Sequence, residues 1–183
     1  MEIKITTKNI LKVLYVLAWI IFIGICIEAG GYIVNAVFAL VNPSVVPRLW
    51  QQVDLSALFT YDPGQFFVIT LIMSIVMVMR AWLFFLIIRI LHNKKISVAR
   101  PFSKEVRRFI FLLSYIAFVI GLFSGYGARY VEWLAKQGVK MPDTQDLSLG
   151  GADAWLFMAV ILFVIAQIFK RGIEIQTENE LTV

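Results

Sequence analysis

Four long apolar runs dominate this 183-residue chain, at about residues 10–41, 66–91, 109–128 and 152–169. Each is close to or longer than the roughly 20 residues a helix needs to cross about 30 Å of hydrocarbon. The first exceeds that need, which implies tilt or projection from the bilayer. Only 16% of residues are charged and 60% are hydrophobic, with mean hydropathy +0.82; soluble domains average about 25% charged. The expected fold is therefore an all-α, integral membrane four-helix bundle. Residues 1–183 make one transmembrane domain, with little chain left for a soluble one.

The segments between the runs give direction and punctuation. Lys4, Lys8 and Lys12 precede the first run, which is too long for a signal peptide and lacks a small-residue cleavage site, so it reads as an uncleaved anchor. Twelve Lys and Arg residues lie on the side shared by the two termini and the 92–108 loop region. The opposite side carries four: Arg48, Arg129, Lys136 and Lys140. Cytoplasmic loops retain such residues, so both termini are expected in the cytoplasm. Asp62-Pro63-Gly64 is a turn signal before the second run, and Pro101 with Ser103 marks a helix start before the third. After Pro47, the residues Val46, Leu49, Trp50 and Val53 follow helical spacing, which predicts a short interfacial helix in the first outer loop. Tyr130 and Trp133 suit ordinary anchoring in the headgroup belt.

Residue counts exclude several chemistries. Cys26 is the single cysteine, which rules out an intramolecular disulfide, and His92 is the single histidine, which rules out a bis-histidine haem or a His-rich metal cluster. Ser74, Ser114 and Ser124 lie within the runs, but no histidine or lysine shares their depth to act as a base. The expectation is a non-enzymatic protein with no catalytic residues, no cofactor and no metal.

Small and polar residues indicate how such helices meet. Gly121 and Gly125 form a small-xxx-small pair, and Gly24, Glu28, Gly31 and Asn35 share one face of the first run. Both faces are expected to point at neighbouring helices, and the motif leaves a closed monomer and a homodimer equally open. Ionisable groups at membrane depth face the interior, a partner or water. The candidate intramembrane polar residues are Glu28, Arg80, Arg129 and Gln167. Measured from the ends of the apolar runs at about 1.5 Å per residue, Glu28 lies about 27 Å deep and Arg80 about 16 Å. A direct pair between them is therefore not expected. Arg129 matches Glu28 better in depth, while Arg80 is left to snorkel or to meet Gln167.

Seven basic residues against Glu105 alone mark the segment from Arg89 to Arg108. Topology and attraction to anionic lipid already explain that bias, so no direct nucleic-acid binding is expected. The tail 172–183 is acidic instead. Its Glu174, Glu178 and Glu180 are candidate docking residues for a soluble partner or for the basic loop.

Arg100-Pro101-Phe102-Ser103 before the third run, the ending from Arg171-Gly172 to Leu181-Thr182-Val183, and the four-span layout together resemble a bacterial membrane family, domain of unknown function 2975. Glu180 stands where an Asp is usual in that family's ending. The resemblance covers nearly the whole chain, carries over no catalytic residues, and implies a multi-pass protein of the bacterial cytoplasmic membrane. It also implies a setting beside a small helix-turn-helix regulator of the Xre or Cro type. Three functions stay open. One is a sensor or sequestering partner of such a cytoplasmic regulator. Another is a small proton-coupled permease or resistance protein using Glu28, by analogy with four-helix multidrug antiporters. The third is a structural or assembly subunit.

Overall fold

A computed structural model describes residues 7–42, 46, 53–92 and 102–181. Those residues fold into five helices: α1 (Thr7–Val41), α2 (Ser56–Tyr61), α3 (Pro63–His92), α4 (Lys104–Lys136) and α5 (Ala152–Leu181). Four of them are long and apolar enough to span a membrane, within Asn9–Ala39, Pro63–His92, Lys104–Lys136 and Ala152–Glu178. No strand occurs among the described residues.

The helices start and stop where local chemistry says they should, although beyond the apolar runs. The Asp62-Pro63-Gly64 turn is absorbed into the start of α3. Pro63 takes the first helical position, where its missing N–H is no loss, and the Asp62 carboxylate accepts from the Gly64 amide at 2.6 Å. The Ser103 hydroxyl caps α4 by accepting from the Val106 amide at 3.2 Å. At its other end α4 closes in a Schellman turn. Gly138 adopts φ +86°, its amide donates to the Ala135 carbonyl, and the Val139 amide donates to that of Leu134. Residues 47–52, which carry Leu49 and Trp50 of the expected interfacial helix, lie outside the described residues. The short helix described in that connection is α2, a few residues later, with Val46 and Val53 both buried.

The spanning helices pack in the order α1, α3, α4, α5. The contact between α4 and α5 is the most extensive, followed by α1 with α3 and α3 with α4. The buried stripe of α4 explains its central place. Leu113, Ala117, Ile120, Ser124, Gly127, Val131 and Leu134 recur in alternating steps of four and three, so one side of α4 faces its neighbours along its whole length. Gly121 and Gly125 sit beside that stripe and meet α5. A Cβ on Gly121 would stand 2.7 Å from the Leu156 side chain, and one on Gly125 would stand 3.5 Å from Ala152. The small-residue face of α4 thus does what its spacing predicts. On α1 the expectation fails at Gly24, which has nothing within 4 Å. The close approach of α1 to the bundle runs instead through Ala18, Ala29, Tyr32 and Ala39.

The chain end of α5 is the largest departure from the apolar runs. The fourth run stops at Phe169, yet the helix continues to Leu181. Arg171, Glu174, Gln176 and Glu178 are good helix formers, and Arg171 pairs with Glu174 at 3.2 Å one turn on. The tail is therefore a helical extension of the span.

Candidate functional site

Two residues of α1 and one of α3 form the polar centre of the molecule. Tyr15 near the start of α1 donates or accepts a 3.1 Å hydrogen bond with His92 Nδ1 at the end of α3. Seven residues further along α1, Phe22 meets Phe85, seven residues back along α3. The same antiparallel register carries Glu28 level with Met79 and Arg80. Glu28 and Tyr32 both act electrostatically on the Arg80 guanidinium. The expectation that Glu28 and Arg80 differ in depth is corrected. It took the ends of the apolar runs as level, whereas the Tyr15–His92 and Phe22–Phe85 contacts slide α1 by nearly two turns, about 9 Å at a helical rise.

Arg80 does not snorkel towards the end that carries the termini. Its guanidinium carbon lies 5.5 Å from the Trp155 ring centroid on α5, and its Nη1 approaches the Met77 sulfur at 3.7 Å. Trp155 sits twelve residues, or about 18 Å at a helical rise, from Gln167. Gln167 is exposed and lies outside the cluster, so the alternative of an Arg80–Gln167 contact is also corrected. Arg129 is exposed at the far end of α4. The Arg80 Nε is buried with no hydrogen-bond partner among the described residues, and so is the Ser124 hydroxyl on α4. A buried donor left without an acceptor destabilises the fold by about 1–3 kcal/mol, so this donor marks where a ligand oxygen would be welcomed.

The cluster communicates with the surface at the end opposite the termini. The Tyr32 hydroxyl is 3.1 Å from the Ser148 hydroxyl in the α4–α5 connection. Ser148 is the single described non-glycine residue with positive φ, at +56°, a conformation that needs its surroundings to hold it. The buried Leu147 and Leu149 on either side supply that hold. Asp146, two residues before Ser148, also acts on Tyr32 and lines a cavity of about 460 Å³ with Val53, Asp54, Lys140 and Met141. In its wall the Ser56 hydroxyl and amide both donate to the Asp54 carboxylate, which holds that carboxyl below its ordinary pKa, with Lys140 adding to the effect. Tyr32 thus bonds Ser148 near this cavity and lies within electrostatic reach of Asp146, Glu28 and Arg80, which in turn meets Trp155.

At the opposite end, the two motifs quoted from the sequence touch each other. A Cβ on Gly172 would fall 2.6 Å from the Phe102 ring, and the Phe102 and Phe169 rings are 5.3 Å apart. The glycine is what lets the aromatic lie flat on α5. This contact was not foreseen, because spacing along the chain gives no sign that residues 102 and 172 meet. Of the expected docking residues, Glu174 pairs with Arg171 on the exposed surface and Glu178 is exposed. The side chain of Glu180 lies outside the described residues.

A family model described as protein of unknown function (DUF2975) matches residues 50–183. The chain belongs to this family. The match contains α3, α4, α5 and both motifs, while α1, with Glu28 and Tyr32, precedes it. No curated protein and no solved structure matches the chain. Family membership assigns no activity, and the membrane-spanning character rests on the four long apolar helices.

Proposed function

We propose that this chain is a non-enzymatic membrane sensor whose cytoplasmic end holds or releases a small DNA-binding regulator. The observation that carries the reading is the continuity of α5. One unbroken helix bears Trp155 against Arg80 and, about 29 Å further on at a helical rise, Glu174. A shift at the polar cluster would move the acidic end as a rigid body, since packed elements slide or tilt rather than deform. The Lys and Arg bias supports reading that end as cytoplasmic and the 460 Å³ cavity as facing outside. The family's usual setting beside a helix-turn-helix regulator supplies the class of partner. Deletion of residues 173–183 should release the regulator and change transcription of the adjacent operon, while the chain still inserts. Unchanged transcript levels at normal membrane abundance would refute the reading.

One observation favours a second reading, a proton-coupled permease: Glu28 belongs to an interior polar cluster. Under it, Glu28→Gln abolishes efflux or drug tolerance and the tail is dispensable. The two deletions of function are separable in the same cells.

A further inference from the structure

We propose that the groove between the end of α3 and the start of α4 binds the headgroup of an anionic glycerophospholipid. This groove encloses about 250 Å³, below the about 300–1,000 Å³ usual for drug-sized ligands, and is thus scaled to a headgroup. Its lining is ordered by depth. Arg89 and Ile90 in the last turn of α3 face Glu105 and Arg108 in the first turns of α4, while Leu86 and Leu112 lie about one turn nearer the bilayer centre than Arg89 and Arg108, with Phe109 one residue inward of Arg108. The helices run in opposite directions, so both put their charged residues towards the rim, beside Ile90, and apolar side chains below. That gradient copies the polarity of a lipid, with phosphate at the rim and acyl chain against Phe109 and the 40% exposed Leu112.

Charge decides the class. Two guanidiniums against one carboxylate leave the rim with an excess positive charge, which one phosphodiester balances and a zwitterionic headgroup does not. The positive-inside rule explains why basic residues gather at this end. It does not explain why two of them share a groove with an apolar floor, whereas basic pockets between spanning helices are where anionic headgroups bind. A soluble phosphate would use the rim and ignore that floor.

The test uses the full chain, stripped of lipid in detergent and titrated with phosphatidylglycerol, with phosphatidylcholine of the same acyl chains, and with glycerol 3-phosphate, read by native mass spectrometry. Phosphatidylglycerol should bind most tightly, and Arg89→Gln with Arg108→Gln should weaken it about thirtyfold. The control pair Lys104→Gln with Arg107→Gln removes the same charge outside the groove and should change little. Equal loss in both pairs would overturn the site in favour of diffuse surface charge. Equal binding of phosphatidylcholine would overturn the headgroup assignment, and equal binding of glycerol 3-phosphate would make it a soluble-phosphate site. Should the double variant lose helicity, Leu112→Trp decides. It fills the groove from its exposed side without altering charge, and undiminished phosphatidylglycerol binding by it would overturn the proposal.

Discussion

Helices α1 and α4 are both long enough to cross a membrane, and they are built on opposite plans. α1 carries apolar side chains around its circumference and leaves Ile20, Ile23, Ile27, Val34 and Phe38 exposed, with a few alanines, Tyr32 and Glu28 on the side of its neighbour. α4 segregates its residues, turning Gly, Ala, Ser and branched side chains inward along one stripe. The difference follows from the solvent. Lipid is as apolar as leucine, so hydrophobicity cannot tell a helix which side to bury, and only small and polar residues can. The α4–α5 contact should therefore resist disturbance poorly at Gly121, where a Cβ would meet Leu156 at 2.7 Å, and α1 should tolerate replacement of Gly24. Gly121→Val is expected to destabilise the protein by about 3 kcal/mol through Leu156, whose side chain and amide both crowd that Cβ. Gly24→Ala should be neutral or slightly stabilising. Thermal unfolding in detergent compares the two, and equal losses would break the distinction between the helices.

The same physics sets what the sequence discloses. Four spans are legible because hydropathy reports the solvent directly. The ends of α4 and α5 are not, since Lys104, Glu132, Glu174 and Glu178 read as loop in a hydropathy profile but are sound helix formers in water. The register of α1 on α3 escapes for a deeper reason. It is set by Tyr15 with His92 and Phe22 with Phe85, and pairs 77 and 63 residues apart leave no trace in a local pattern. Glu28 and Arg80 were therefore found as residues but not as neighbours, and Trp155 was not found at all.

The next largest effect concerns the link between the two plans, where Arg80 reaches from α3 to Trp155. A cation over an indole in a desolvated setting contributes about 2 kcal/mol. Trp155→Leu should remove about that much. In a double-mutant cycle with Arg80→Met the two changes should fall short of additive, which unfolding measurements on the four proteins reveal. Additive losses would mean that α5 is anchored by α4 alone, and that nothing passes from the α1 side to the acidic tail. Smaller again is Ser114, whose hydroxyl donates to the Ala159 carbonyl at 2.8 Å across the α4–α5 contact. Ser114→Ala should cost about 0.6 kcal/mol, the average for hydrogen bonds between membrane helices. A larger loss would show that polar contacts, and not the glycine fit, hold that pair together.

The smallest effect lies outside the bilayer, in the connection that follows α1. Asp54 is exposed and accepts from the Ser56 hydroxyl and amide, so its carboxyl ionises more readily in the folded protein than in the unfolded chain. A depressed folded pKa contributes stability that is present above the unfolded value and is lost as pH falls through the folded one. Exposure keeps that contribution small, so it is better followed on the carboxyl itself by NMR titration than on unfolding. Ser56→Ala removes the hydroxyl donor and leaves the amide and Lys140, so the Asp54 pKa should rise part of the way to its ordinary value and no further. A full return would mean that neither the Ser56 amide nor Lys140, which lines the same cavity, acts on Asp54. The connection after α1 would then be as weakly joined to the α4–α5 side as the bare flank of α1 itself.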